Sequence, residues 1–183
     1  MKNIVVPARE QVSPESQLLF DIYQKRVGKV PNLYATMGYS AVALKAFMSL
    51  EDTLNEGVFN PKEREAIALV VSEVNGCAYC LAGHTLLAIK RGFTKEDTLA
   101  IRGGEIADPK LNAIVQLAKA ITETKGYVPE EVLDKFYAAG FNEGALMELI
   151  GLVTARVYTN YVFAVTGIPV DFPLAEPIKK INY

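Results

Sequence analysis

The two cysteines of the chain and its one histidine fall within a single short stretch, Cys77-Ala78-Tyr79-Cys80-Leu81-Ala82-Gly83-His84. On a helix, spacings of three and four place Cys77, Cys80 and His84 within an arc of roughly 60°, with Cys80 and His84 one turn apart. Thiol chemistry needs the thiolate. A cysteine pKa falls in the first turn of a helix or beside an imidazolium, and this stretch offers both environments. A second thiol three residues away can attack the sulfenic acid that peroxide leaves on the first, closing a disulfide before further oxidation.

A lone histidine more often sits on the surface or in a satisfied core than in a catalytic role. The position of His84 one turn after a CxxC pair makes it a candidate. Glu65 is the second candidate. Glu63 already fills the capping place near that helix start, while Glu65 lies beyond the first turn and leads into Ala66-Ile67-Ala68-Leu69-Val70-Val71. A half-buried carboxylate there can orient His84 or relay its proton, as a third group often positions a base. Ser72 and Tyr79 are further candidates, although Tyr79 suits packing as well as chemistry.

Helices must position these groups. Ser13-Pro14 opens one that ends near Gly28, and Lys29-Val30-Pro31-Asn32 makes a turn before a short piece reaching Gly38. Ser40 caps a helix expected to reach Glu56. Asn60-Pro61-Lys62-Glu63 combines an N-cap, a first-position proline and a capping-box glutamate, so a helix carrying Glu65 runs to about Val74. Asn75-Gly76 turns the chain, and the helix from Cys77 ends with Lys90, Arg91 and Gly92. Further starts stand at Thr94, Asp108-Pro109, Pro129-Glu130 and Asn142, and further ends at Gly126, Gly140 and Gly167. No segment alternates with period two, so the fold class is all-α, a single-domain helical bundle over 1–183.

A shift of 83 residues aligns Glu65, Ile67, Leu69, Val70 and Val74 with Glu148, Ile150, Leu152, Val153 and Val157. Two apolar helices facing one core explain these matches as well as duplication does. The second copy has Asn160 and Phe163 in place of the cysteines, so one thiol centre is expected.

Composition narrows the classes. A chain of 183 residues, 50% hydrophobic and 22% charged with formal net charge −2, is ordinary for a globular domain and offers no basic patch for nucleic acid. The first ten residues carry too short an apolar run for a signal peptide, and the expectation is a cytoplasmic protein. Ala145 to Ile168 is the most apolar stretch, but it contains Glu148, Arg156 and Asn160, which fits a core or interface helix better than a membrane span. Two cysteines three apart form no secreted disulfide framework. A thioredoxin arrangement needs a βαβ pattern that is missing. Zinc on Cys77, Cys80, His84 and a carboxylate has acceptable ligands, but they lie on one helix of a chain able to fold without metal. Neither metal nor cofactor is expected.

With Glu65 included, the pattern Glu-x11-Cys-x2-Cys-x3-His resembles the active-site motif of the AhpD-like alkylhydroperoxidases of the carboxymuconolactone decarboxylase superfamily. Gly28-Lys29-Val30-Pro31-Asn32-Leu33, Asn60-Pro61-Lys62-Glu63-Arg64-Glu65 and Asn75-Gly76-Cys77-Ala78-Tyr79-Cys80 are also similar to that family. The likeness is specific over about 28–92 and general afterwards. It implies that Cys80 reacts with peroxide, that Cys77 resolves, and that Glu65 with His84 relays the proton. It also implies homo-oligomers, often trimers or hexamers, and electrons from a dithiol carrier such as a lipoyl-bearing protein. Well-known peroxidases of the group have a second histidine directly before the later cysteine, where this chain has Tyr79.

The leading expectation is therefore a thiol peroxidase acting on hydrogen peroxide or organic hydroperoxides. A lactone-processing decarboxylase, which needs no cysteine pair, and a non-enzymatic redox sensor are the alternatives. Cysteine dependence separates the first alternative, and catalytic turnover the second.

Overall fold

The Asn60 carboxamide oxygen accepts the amides of Lys62 and Glu63, while the Glu63 carboxylate accepts the Asn60 amide at 2.8 Å. This reciprocal cap starts helix α4, Pro61–Val74, in the computed structural model, which describes residues 4–178. Ser13, Ser40, Thr94, Asp108 and Asn142 each accept the amide three residues on. They cap α1 (Pro14–Val27), α3 (Ala41–Leu54), α6 (Lys95–Gly103), α7 (Pro109–Thr124) and α9 (Glu143–Thr166), each cap being worth about 1 kcal/mol. Helices α2 (Asn32–Met37) and α8 (Glu130–Ala138) follow Pro31 and Pro129, and α5 is Ala78–Lys90. Among the described residues there are nine α-helices and no strand. The all-α expectation holds. The third helix stops at Leu54 rather than Glu56, because residues 55–59 turn the chain toward the α4 cap.

Helix α4 is the axis of the fold. Every residue from Glu65 to Ser72 is buried, as expected for a helix surrounded by others. It packs against α5, α6, α7 and α9, and Leu69 and Val70 join Ile114, Leu117, Phe136 and Leu149 in the main core. A smaller core joins Phe20 of α1, Leu44 and Phe47 of α3 and Ala155 of α9. A third cluster gathers Leu33, Cys77, Tyr79, Cys80 and Ile168.

Between α4 and α5, Gly76 takes φ 63°. That left-handed conformation reverses the chain so that the cysteines enter α5 alongside the end of α4, and it would cost a side-chain-bearing residue about 1–2 kcal/mol.

Helix α9 is long and apolar enough to cross a membrane by length and composition. It instead packs against α2, α3, α4, α5 and α7. Arg156, Thr159 and Asn160 are buried on its inner face together with Leu149 and Leu152. Met147, Ile150, Tyr158, Tyr161 and Val165 are exposed along its other side. The pattern shared by α4 and α9 does not carry a shared site: Glu65 faces His84, whereas Glu148 accepts the Val58 amide at 2.7 Å.

Candidate active site

Cys77 is the N-cap of α5, and its sulfur accepts the Cys80 amide at 3.3 Å. The helix start thus brings one backbone N–H to the first sulfur and folds the second back onto it. The two free thiols stand with their sulfurs 2.7 Å apart, and both residues are buried. The Cys80 sulfur lies 3.9 Å from the Thr159 hydroxyl, and Asn160 hydrogen-bonds to Cys77.

These contacts separate the two thiols. The hydrogen bond from Cys80 lowers the Cys77 pKa; burial opposes it, while the Cys80 amide and Asn160 add to it. Cys80 moves up, because hydrogen bonding to Cys77, burial and the Cys77 charge all favour its thiol form. Within this coupled pair the first negative charge therefore belongs on Cys77, the sulfur at the helix N-terminus. Helical spacing alone had no means of ranking the two.

His84 lies on the same helix but turns away from the sulfurs. Its Nδ1 is 2.8 Å from Glu65 Oε2 and its Nε2 is 3.1 Å from Arg156 Nη1. Arginine can only donate, so Nε2 accepts and Nδ1–H donates to Glu65. Among the described residues no hydrogen bond joins His84 to either cysteine. The other Glu65 oxygen, Oε1, accepts Arg91 Nε at 3.0 Å. The paired geometry expected of Glu65 and His84 is present, and Arg91 and Arg156 extend it.

Arg156 was not among the candidates. It is buried, it ion-pairs with Glu51, and its guanidinium lies over Phe47, 5.7 Å from the ring centroid. Burial pulls its pKa down, against the support of Tyr34 and Tyr23. A signal did exist. A cation inside an apolar helix must find partners, and Arg156 stands out in that run. Asn160, matched by the 83-residue shift to Cys77, also proves to be a neighbour of the thiols, and its carboxamide bridges Asn75 at 2.9 Å and Ser72 at 3.3 Å.

Tyr79 is a strut. Its hydroxyl accepts the Leu33 amide at 3.1 Å and donates to Asp171 Oδ1 at 2.5 Å. The ring packs between Phe163 and Phe172, at 5.7 and 5.5 Å between centroids. Asp171 also holds Lys29 at 2.9 Å and the Asn32 amide at 3.4 Å. The segment after α9 is thereby strapped to the α1–α2 turn, with Ile168 and Phe172 packed in the cysteine cluster. Burial alone would raise the Asp171 pKa, but its bonds to Tyr79 and Lys29 outweigh burial and lower it.

A cavity of about 190 Å³ opens beside this centre, with Glu65, His84, Arg91 and Arg156 on its wall. The sulfurs do not line it. Among the described residues no three His, Cys, Asp or Glu side chains converge as a metal site, since the His84 nitrogens face Glu65 and a guanidinium.

The carboxymuconolactone decarboxylase family matches residues 41–123, from α3 into α7. The uncharacterized protein YdfG of Bacillus subtilis (strain 168) is 32% identical over 82 residues, 43% of this chain and 56% of that relative. The chain thus spans little more than half the length of this curated relative. An uncharacterized peroxidase-related protein from Ralstonia eutropha JMP134, described as an alkylhydroperoxidase AhpD core, has TM-score 0.82 at 18% identity over 92% of both chains. A peroxidase-related protein from Silicibacter sp. TM1040 has TM-score 0.78 at 23% identity, covering 91% of this chain and 90% of its own. The debrominase Bmp8, in complex with 2,3,4-tribromopyrrole, has TM-score 0.78 at 19% identity over 93% of both chains. Such distant structural likeness establishes the fold, and the fold has hosted more than one chemistry. Together these give a carboxymuconolactone decarboxylase family match over residues 41–123, within a fold shared with an AhpD core protein.

Proposed function

We propose that the protein is a thiol peroxidase that reduces hydrogen peroxide or organic hydroperoxides through a Cys77–Cys80 dithiol/disulfide cycle. The observation that carries this reading is the 2.7 Å approach of two thiols at the start of α5, beside a hydrogen-bonded Glu65–His84 pair. The pair carries one negative charge, held at rest on Cys77. Passing the Cys80 proton across the sulfur contact moves that charge to Cys80, the sulfur that the family resemblance makes peroxide-reacting. The Cys80 thiolate attacks a peroxide oxygen and breaks the O–O bond. The leaving alkoxide or hydroxide takes a proton drawn from solvent through His84, which Glu65 orients and whose Nε2 Arg156 must first release. Cys77 then attacks the Cys80 sulfenic acid, the disulfide forms and water leaves. An external dithiol of the lipoyl kind returns two electrons and two protons.

The same reading places the protein in a reducing cytoplasm, where the dithiol is regenerated. It also makes the protein a homo-oligomer, a trimer or hexamer, burying the exposed side of α9.

Peroxide consumption with dihydrolipoamide as donor tests the cycle. Turnover should vanish in Cys80→Ser, and His84→Ala and Glu65→Gln should slow the thiol step roughly a hundredfold or more. Cysteine-independent activity on a lactone would instead favour decarboxylase chemistry. Disulfide formation without turnover would favour a sensor. A brominated pyrrole is the comparison substrate, because a debrominase shares the fold.

A further inference from the structure

The cavity beside His84 carries a charge that the whole chain does not. Four arginines, Arg26, Arg64, Arg91 and Arg156, line it against Glu51 and Glu65, in a chain of formal net charge −2. Two of the four are fully engaged: Arg156 is shared by Glu51 and His84, and Arg26 holds Asp52 at 2.7 Å. The other two are not. Arg91 gives Nε to Glu65, and among the described residues its two terminal nitrogens have no acceptor. Arg64 binds the backbone carbonyls of Phe59 at 2.5 Å and Asn55 at 3.3 Å through Nη1, and among the described residues it has no carboxylate partner.

Arg64 and Arg91 also disturb each other. Burial lowers the Arg64 pKa and the neighbouring Arg91 charge lowers it further, beyond what Glu65 and Glu63 restore. Two guanidiniums on the wall of one partly dry cavity are relieved by an anion that both can grip. The wall also has an apolar part, Ile67 and Ala68 of α4, Leu87 of α5 and Leu152 of α9, beside Tyr23, Tyr34, Asn55 and His84. A volume near 190 Å³ is that of about six liquid waters, enough for a small organic molecule.

We propose that this cavity binds a small monocarboxylate with an apolar body, its carboxylate gripped by Arg64 and Arg91 and its body against Ile67, Ala68 and Leu152. If the peroxidase reading is accepted, on which this extension rests, the preferred substrates are hydroperoxides that carry a carboxylate. The two acceptor-poor guanidiniums set the charge of the ligand, and the apolar part of the wall sets its body.

Calorimetric titration of Cys80→Ser protein tests binding apart from redox turnover, with benzoate, benzamide and inorganic phosphate as probes. Benzoate should bind at least tenfold more tightly than benzamide, which has the same shape without the charge, and more tightly than phosphate, which lacks the body. Arg64→Gln and Arg91→Gln should each weaken benzoate by tenfold or more, with helical content and melting checked by circular dichroism. Added salt should weaken benzoate binding in the unsubstituted pocket, a readout that does not depend on either variant folding. Equal affinity for benzoate and benzamide, phosphate as the tightest probe, or no binding at about 10 mM benzoate would each overturn the proposal. Because the Cys80→Ser protein has no disulfide cycle, failure here leaves the peroxidase reading standing, and failure of turnover leaves this site standing.

Discussion

Arg156 donates to Nε2 of His84 across 3.1 Å, joining residues 72 positions apart in the chain. The guanidinium occupies the nitrogen that a proton relay would use, while Glu65 holds the opposite nitrogen. Nε2 can therefore take a proton only when Arg156 moves off it, and Arg156 acts on the proposed reaction as a positioning residue through His84.

The first prediction concerns that tautomer. With one histidine in the chain, nitrogen NMR of the imidazole reads this site alone. The spectrum should show Nδ1–H and a bare, hydrogen-bonded Nε2, and Arg156→Leu should move the Nε2 resonance. Leaving Glu51 without its partner should also destabilise the fold by about 3 kcal/mol or more, measured by urea unfolding. An unchanged imidazole spectrum would remove Arg156 from the site.

Thiol titration follows from the split pair. Cys77 is lowered and Cys80 raised, so thiolate absorbance should grow in two separated steps as pH increases. The first should lie below the value of about 8.5 for a free cysteine and the second well above it. Cys77→Ser removes the sulfur that holds the first charge, so the low step should disappear. Persistence of the low step in Cys77→Ser would assign the resting thiolate to Cys80 instead.

The strap over the thiols should respond to Asp171. Asp171→Asn weakens the links to Tyr79 and Lys29, and should cost about 1 kcal/mol while speeding alkylation of the buried cysteines several-fold. The folded-state pKa of Asp171 is lowered, so its contribution is present above the ordinary carboxylate value and fades as pH falls through the lowered one. Alkylation, corrected for thiolate fraction, should therefore accelerate only in acid below about pH 4. Equal rates in Asp171→Asn and the parent would show that the strap does not limit access.

Core packing predicts a contrast. Leu69 is fully buried in α4, on the helix that carries Glu65. Leu69→Ala should cost about 2–5 kcal/mol, read as a lower denaturation midpoint. A loss below about 1 kcal/mol would mean that the α4 core is less tightly packed than described.

The exposed side of α9 tests the proposed assembly. Met147, Ile150, Tyr158, Tyr161 and Val165 recur at helical spacing on the surface. Light scattering should give a homo-oligomer, and Tyr161→Lys with Val165→Lys should dissociate it. A monomeric parent at micromolar concentration would leave this stripe unexplained.

The sequence by itself determined the helices, most of their caps, and the motif joining Glu65, Cys77, Cys80 and His84. Capping boxes, first-position prolines and terminal glycines act over three or four residues, so a local reading finds them. Burial of Glu65 was legible for the same reason, from the apolar run that follows it. Only the tertiary structure decided what each group faces. His84 meets Arg156 rather than a thiol, Tyr79 meets Asp171, and Cys77 rather than Cys80 receives the helix amide. Arg156 and Asn160 were visible as polar residues in an apolar helix, but their partners lie on α3, α4 and α5 or in the turn between α4 and α5. Spacing along one helix sets which residues share a face. Hydrogen-bond direction, thiol ranking and the sign of charge in the cavity arise from helices that meet only when the core closes.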